Sequence, residues 1–220
     1  MPIGTQLINV MAALLLLIAF AMLSQRRILS LIHLYAWQGV VLAANGVIVG
    51  YSTVQDHLYY SAALTLALKA MLLPWILHRL IIRLNIRWDV ETLINIPTTM
   101  FAGIVLVVFA FNLAIPITEL AGTITRSTLG IAIAVVLLSF LMMITRRKAV
   151  PQVIGFLALE NGLFFAATST TYGMPLAIEL GIALDLLVGV LILGIFFFQV
   201  RDAFDSLDLR HMEKLKETEE

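Results

Sequence analysis

Four charged residues stand where the surrounding sequence is almost wholly apolar: Lys69, Glu160, Glu179 and Asp185. Near the middle of a membrane-crossing helix, a lysine or an aspartate costs about 2.5–3.5 kcal/mol on insertion scales. Together the four oppose insertion by roughly 10 kcal/mol before any pairing, so they must face protein or water rather than lipid. Burial disfavours the charged form of any side chain, which readies such groups to exchange protons. Intramembrane charges of this kind mark ion or proton paths. Glu160 and Asp185 are expected to form the functional pair, with Lys69 near them and Glu179 serving the outer end. Glu179 and Asp185 are six residues apart, about 9 Å along a helix and about 120° around it. That separation is too large for a direct proton hop and suits a water chain. A structural role stands beside the chemical one: Lys69 could pair with Glu160 or with Asp185 only to fix how two helices dock.

Uncharged polar residues thicken the same layer. Gln38 and Asn45 are seven residues apart and share a helix face, and Asn161 adjoins Glu160. Ser61 and Thr65 precede Lys69 at helical spacing. Such groups either hold water between titratable side chains or bond helix to helix, at about 0.6 kcal/mol per contact. Pro74 removes a backbone donor and should kink its helix, opening room for water.

Motifs of other chemistries are missing. There is no Walker loop, dinucleotide fingerprint, zinc-protease motif or nucleophile elbow, so no catalytic residue is assigned. The absence of cysteine excludes thiolate-held iron–sulfur clusters. The histidines His33, His57, His78 and His211 show no metal-ligand spacing. No metal or cofactor is expected in this chain, and its net charge of +0 gives no reason to expect a nucleic-acid partner.

The elements that must position these residues are membrane helices. Of the 220 residues, 61% are hydrophobic and 13% charged, with a mean hydropathy of +1.00. A soluble domain carries about 25% charged residues, so this chain lacks a polar coat and meets lipid or other membrane subunits. About seven apolar stretches reach the roughly 20 residues that a span requires. They run approximately over 6–23, 28–49, 58–80, 98–117, 127–144, 151–172 and 175–200. The first is read as a permanent span, because Arg26 and Arg27 follow it rather than precede it. The fold class is therefore all-α and polytopic, with a transmembrane domain over 1–200 and a charged tail over 201–220.

Basic residues gather in alternate connections: Arg26 and Arg27; Arg79, Arg83 and Arg87; Arg146, Arg147 and Lys148; and Arg201, Arg210, Lys214 and Lys216 in the tail. The opposite side shows Arg126. The positive-inside rule places the amino terminus outside and the tail in the cytoplasm. Spans one to three (6–80) and five to seven (127–200) share entry features: Gln25-Arg26-Arg27 and Ala43-Ala44 match Thr145-Arg146-Arg147 and Ala166-Ala167. This suggests a parallel repeat of two three-helix units joined by a linking fourth helix.

At the sixth and seventh spans the sequence resembles a known family. Val153-Ile154-Gly155-Phe156-Leu157-Ala158-Leu159-Glu160-Asn161-Gly162-Leu163-Phe164 is similar to the sixth-span signature of the hydrogenase-4 component E family. Pro175-Leu176-Ala177-Ile178-Glu179-Leu180-Gly181-Ile182-Ala183-Leu184-Asp185-Leu186-Leu187-Val188 is similar to its seventh-span segment. Those proteins are membrane subunits of energy-converting nickel–iron hydrogenases. They are related in turn to the K-type subunit of respiratory complex I and to a small three-span subunit of Mrp-type antiporters. In the first half, Asp56 followed by Ala62-Ala63-Leu64-Thr65 faintly resembles the third-helix entry of that antiporter protein. One departure stands out. The complex I protein carries its glutamate about one turn earlier, where this chain has Leu157, which places Glu160 at a different depth. The resemblance implies a non-catalytic subunit of a hydrogenase-type complex in a bacterial or archaeal cytoplasmic (inner) membrane. Its expected partners are hydrophilic subunits, antiporter-like membrane subunits and the lipid bilayer. The alternative is a small membrane subunit of an Mrp-type cation/proton antiporter assembly without a redox partner.

Overall fold

In a computed structural model, residues 3–53, 56–83, 90, 92–121, 126–171 and 189 are described. They form an all-α bundle with six helices long and apolar enough to cross a membrane. In chain order these are α1 (Ile3–Ser24), α2 (Ile28–Thr53), a composite third span, α5 (Ile96–Ala121), α6 (Arg126–Thr145) and α7 (Ala149–Thr171). The third span is built from α3 (His57–Thr65), a π-helical turn π1 (Leu66–Leu72) and α4 (Leu73–Arg83). The spans expected over 6–23, 28–49, 58–80, 98–117, 127–144 and 151–172 all fall on these helices. The seventh expected span, the third member of the second repeat unit and the tail 201–220 lie outside the described residues, as do Glu179 and Asp185.

Most of these helices are hydrophobic on nearly every side, as a membrane span requires. What then selects the packing is small-residue contact and polar pairing. α6 packs on α7 and α5, α1 on α2 and α6, and α2 on α7 and the third span. Gly155 and Gly162, seven apart on one face of α7, lie against Met143 and Val136 of α6 at distances that leave no room for a Cβ without displacement. α5 stands at the edge of the bundle. Phe101, Ile104, Val105, Val108 and Phe109 are exposed along it, a face suited to lipid or to a neighbouring membrane subunit.

One end of the bundle collects the basic connections. The segment after the third span straps two of them together by its backbone. Val90 N–H donates to the Arg26 carbonyl at 2.8 Å, and Leu93 N–H donates to the Thr145 carbonyl at 2.8 Å. Thr92 also forms an isolated antiparallel bridge with Arg146. Arg146 does more than set topology. Its side chain is 1% exposed, and its Nη2 donates to the carbonyls of Met22 (3.1 Å) and Leu23 (2.7 Å). Those carbonyls belong to the last turn of α1, where a helix leaves its acceptors unsatisfied and favours positive charge. Burial lowers the guanidinium from its ordinary value to about 10, so it remains charged at neutral pH.

The consequence is testable. Arg146→Ala should destabilise the protein by about 3 kcal/mol, because it removes hydrogen bonds from a charged donor and leaves two carbonyls buried without it. Arg146→Lys, which keeps the charge and loses the planar fork, should recover part of that. Thermal denaturation in detergent measures both; equal melting of the wild type and the alanine variant would show that Arg146 does not hold α1.

Candidate functional site

The third span and α7 meet at mid-depth through an ion pair. Lys69 Nζ lies 2.7 Å from both Oε1 and Oε2 of Glu160. The side chains are 4% and 14% exposed. Of the two pairings open to Lys69 from the sequence, with Glu160 or with Asp185, the described residues contain the first. Lys69 also stands over the Phe164 ring, 4.3 Å from its centroid. Phe164 follows Glu160 by four residues, so one turn of α7 offers the ammonium both a carboxylate and an aromatic face.

The backbone that carries Lys69 is unusual. π1 runs from Leu66 to Leu72, with Lys69 at its centre, and is succeeded at once by Leu73 and Pro74. Proline lacks an N–H for the carbonyl four residues back, here Ala70, and its ring crowds that carbonyl. A wider π turn relieves that crowding, and such turns concentrate at functional sites. The kink expected at Pro74 is thus associated with a local widening just ahead of it. Trp75, next to Pro74, is 55% exposed and carries Arg79 at 5.2 Å from its ring.

α2 approaches π1 closely because of Gly39. A Cβ at this position would lie 2.9 Å from the Lys69 carbonyl carbon and 2.9 Å from the Ala70 nitrogen. Both are backbone atoms, which no rotamer change can move. Gly39→Ala should therefore push α2 off π1. The gain of about 1 kcal/mol in helix propensity should be outweighed by an overpacking cost of about 1–3 kcal/mol. A lowered melting temperature in detergent is the expected reading, and a raised one would contradict the close approach.

The uncharged polar residues gather as their spacing suggests. Gln38, Asn45 and Asn161 are each 0% exposed, and Ser61 and Thr65 are buried on α3. Asn161 Nδ2 donates to Gln38 Oε1 at 3.3 Å, joining α7 to α2 beside the ion pair. Several atoms of the layer, namely Gln38 Nε2, both amide atoms of Asn45 and Asn161 Oδ1, have no hydrogen-bond partner among the described residues. Buried polar atoms in such numbers are matched in proteins by internal water or further polar groups. Gly39 and Phe164 carry no signal in the sequence that marks them as part of this layer, and the π turn is foreshadowed there only by Pro74. Among the described residues, no group of three His, Asp or Glu side chains is placed to hold a metal ion.

The layer can therefore hold charge, exchange protons between an ammonium and a carboxylate, and present unfilled hydrogen-bonding capacity on both flanking helices. Among the described residues it offers no nucleophile paired with a base.

No protein-family model and no solved structure matches the chain. It is 23% identical over 216 residues to hydrogenase-4 component E of Escherichia coli strain K12, spanning 97% of this chain and 99% of that one. Hydrogenase-4 component E of Shigella flexneri matches to the same extent. The distant relation runs over nearly the full length, so it includes the first half, where the sequence resemblance is faint. The chain is also 32% identical over 212 residues to the uncharacterized protein Rv0085 of Mycobacterium tuberculosis, over 96% of each. A likeness of that extent makes this chain a member of the same membrane-protein family as the mycobacterial protein.

Proposed function

We propose that this chain is a non-catalytic membrane subunit of a hydrogenase-type, energy-converting complex, and that its Lys69–Glu160 pair handles protons while partner subunits transfer electrons. The observation that carries the proton-handling half is the buried ion pair at mid-depth, set in a polar layer. At 2.7 Å the two charges attract by about 6 kcal/mol at an effective dielectric of 20. Removing them from water costs several kcal/mol per ion. The two contributions nearly cancel, so the pair adds little stability over an apolar contact of the same volume. What it supplies instead is two proton-exchanging groups joined directly by hydrogen bonds to both carboxylate oxygens. A proton can pass from ammonium to carboxylate along one of them and leave from the other end of the layer.

The kind of complex rests on the relation to hydrogenase-4 component E. In this reading the nickel–iron and iron–sulfur centres belong to hydrophilic partners, and the exposed apolar faces meet lipid and antiporter-like membrane subunits. The basic end faces the cytoplasm of a bacterial or archaeal cell. Glu179 and Asp185 are proposed to extend the path from Glu160 toward the outer side.

Purification of the tagged chain in mild detergent, followed by identification of what accompanies it, tests the assignment. Hydrogenase-type hydrophilic subunits together with antiporter-like subunits are expected. Recovery with antiporter subunits alone, or as a stable monodisperse single chain, would overturn it.

A further inference from the structure

Two close approaches fix the register between α2 and the third span. A Cβ on Gly39 would lie 2.9 Å from backbone atoms of Lys69 and Ala70, and one on Gly46 would lie 3.3 Å from the Cβ of Ala62. The contact moves forward along α2 as it moves back along the third span, so the two run antiparallel. Gln38 and Asn45 each precede one of those glycines, and Lys69 and Ser61 precede Ala70 and Ala62. In antiparallel right-handed helices, residues that precede paired contact positions turn to the same side of the seam. α7 covers that side, since it reaches Lys69 through Glu160 and Gln38 through Asn161. The register sets Thr65 between the levels of Gln38 and Asn45, and Ser61 just beyond Asn45. Both are buried, as is Thr168, seven residues after Asn161 on the same face of α7.

These residues form one polar strip that leaves the ion pair in a single direction, away from the basic end. From Lys69 to Ser61 it runs about 12 Å. In the other direction the same helices bury Leu73, Leu77, Ile28, Leu31, Ile154 and Leu157. There the Tyr35 hydroxyl is the one buried polar side-chain group among the described residues of these helices. Along the strip, both amide atoms of Asn45 and Nε2 of Gln38 have no hydrogen-bond partner among the described residues. Buried amides of this kind are matched by internal water.

We propose that a file of water fills this strip and connects the Lys69 ammonium to the membrane face opposite the basic end, with Asn45 holding the water at its middle. Lys69 thereby has an outlet separate from the one proposed through Glu179 and Asp185. The inference rests on the proton-handling reading for what the file carries, and on the buried amides for the water itself. The ammonium gives a proton to the first water and becomes a neutral amine; the charge then moves along the file by successive transfers between waters. The apolar stretch on the other side keeps that proton from the basic end.

The chain contains no cysteine, so a single introduced thiol can report the water. Thr65→Cys, Ser61→Cys and Leu77→Cys would be made one at a time in the assembled complex, in sealed vesicles with the basic end inside. Silver ion added outside binds a thiolate, which apolar surroundings disfavour. The chain is then denatured and alkylated, and a thiol that silver has blocked stays unmodified. Thr65→Cys and Ser61→Cys should be blocked and Leu77→Cys should not. Adding Asn45→Leu should slow the blocking of Thr65→Cys by about tenfold, because the amide's hydrogen bonds to the water are lost. Equal blocking at positions 65 and 77, fast or slow, overturns the proposal, as does blocking of Thr65→Cys that Asn45→Leu leaves unchanged. The expected blocking together with a full gradient in Glu160→Gln would leave the water file standing and remove the proton-handling reading instead.

Discussion

Lys69→Met alone should destabilise the folded protein by about 3–5 kcal/mol, whereas Lys69→Met combined with Glu160→Met should be nearly neutral. The single change leaves a carboxylate that is mostly buried without its cation, and an uncompensated buried charge carries a penalty of that size. The double change removes both desolvation costs together with the attraction that offsets them. Methionine keeps much of the length of either side chain and is at home against the Phe164 ring that now lies beneath the ammonium. With Glu160→Met measured alone, the departure of the double variant from the sum of the two single losses measures the coupling between the two sites. Heating in detergent and counting the fraction that stays monodisperse gives the comparison. A double-variant loss equal to the sum of the two single losses would mean that the two side chains do not act on one another and that the close pairing contributes nothing.

Much of the frame is legible in the sequence because membrane insertion leaves few choices. Apolar stretches long enough to cross a bilayer mark α1, α2, α5, α6 and α7 within a few residues of their ends. The seven-residue spacing of Gln38 and Asn45 puts both on one face, and both are buried. The cost of intramembrane charge picks out Lys69 and Glu160 without any knowledge of their neighbours. Their mutual pairing is one of two that the sequence allows, and choosing between them requires knowing which helices touch.

Other features leave no mark on composition or period. A π turn differs from an α turn by the routing of a few hydrogen bonds, and Pro74 is its single sign. Gly39 reads as an ordinary small residue until the backbone of π1 is found against it. Arg146 reads as one more basic loop residue, although it is buried against the end of α1. The strap from Val90 to Leu93 is made of backbone hydrogen bonds, which the side-chain pattern does not encode.

The central claim is that Glu160 moves protons and does not merely dock helices, and Glu160→Gln tests it most directly. Glutamine keeps the shape of the side chain and can still accept a hydrogen bond from Lys69, but it cannot take up or release a proton at working pH. The variant should be made in the assembled complex, with two quantities read from the same membrane vesicles: hydrogen chemistry with an artificial dye, and ion-gradient formation. The dye-linked reaction should stay near the wild-type rate, because it runs in partner subunits. Gradient formation should fall by about 100-fold, the low end of what a positioned proton-transfer group contributes. An assembled Glu160→Gln complex that still builds a full gradient would contradict the account and leave the ion pair with Lys69 as a device for fixing α7 against the third span.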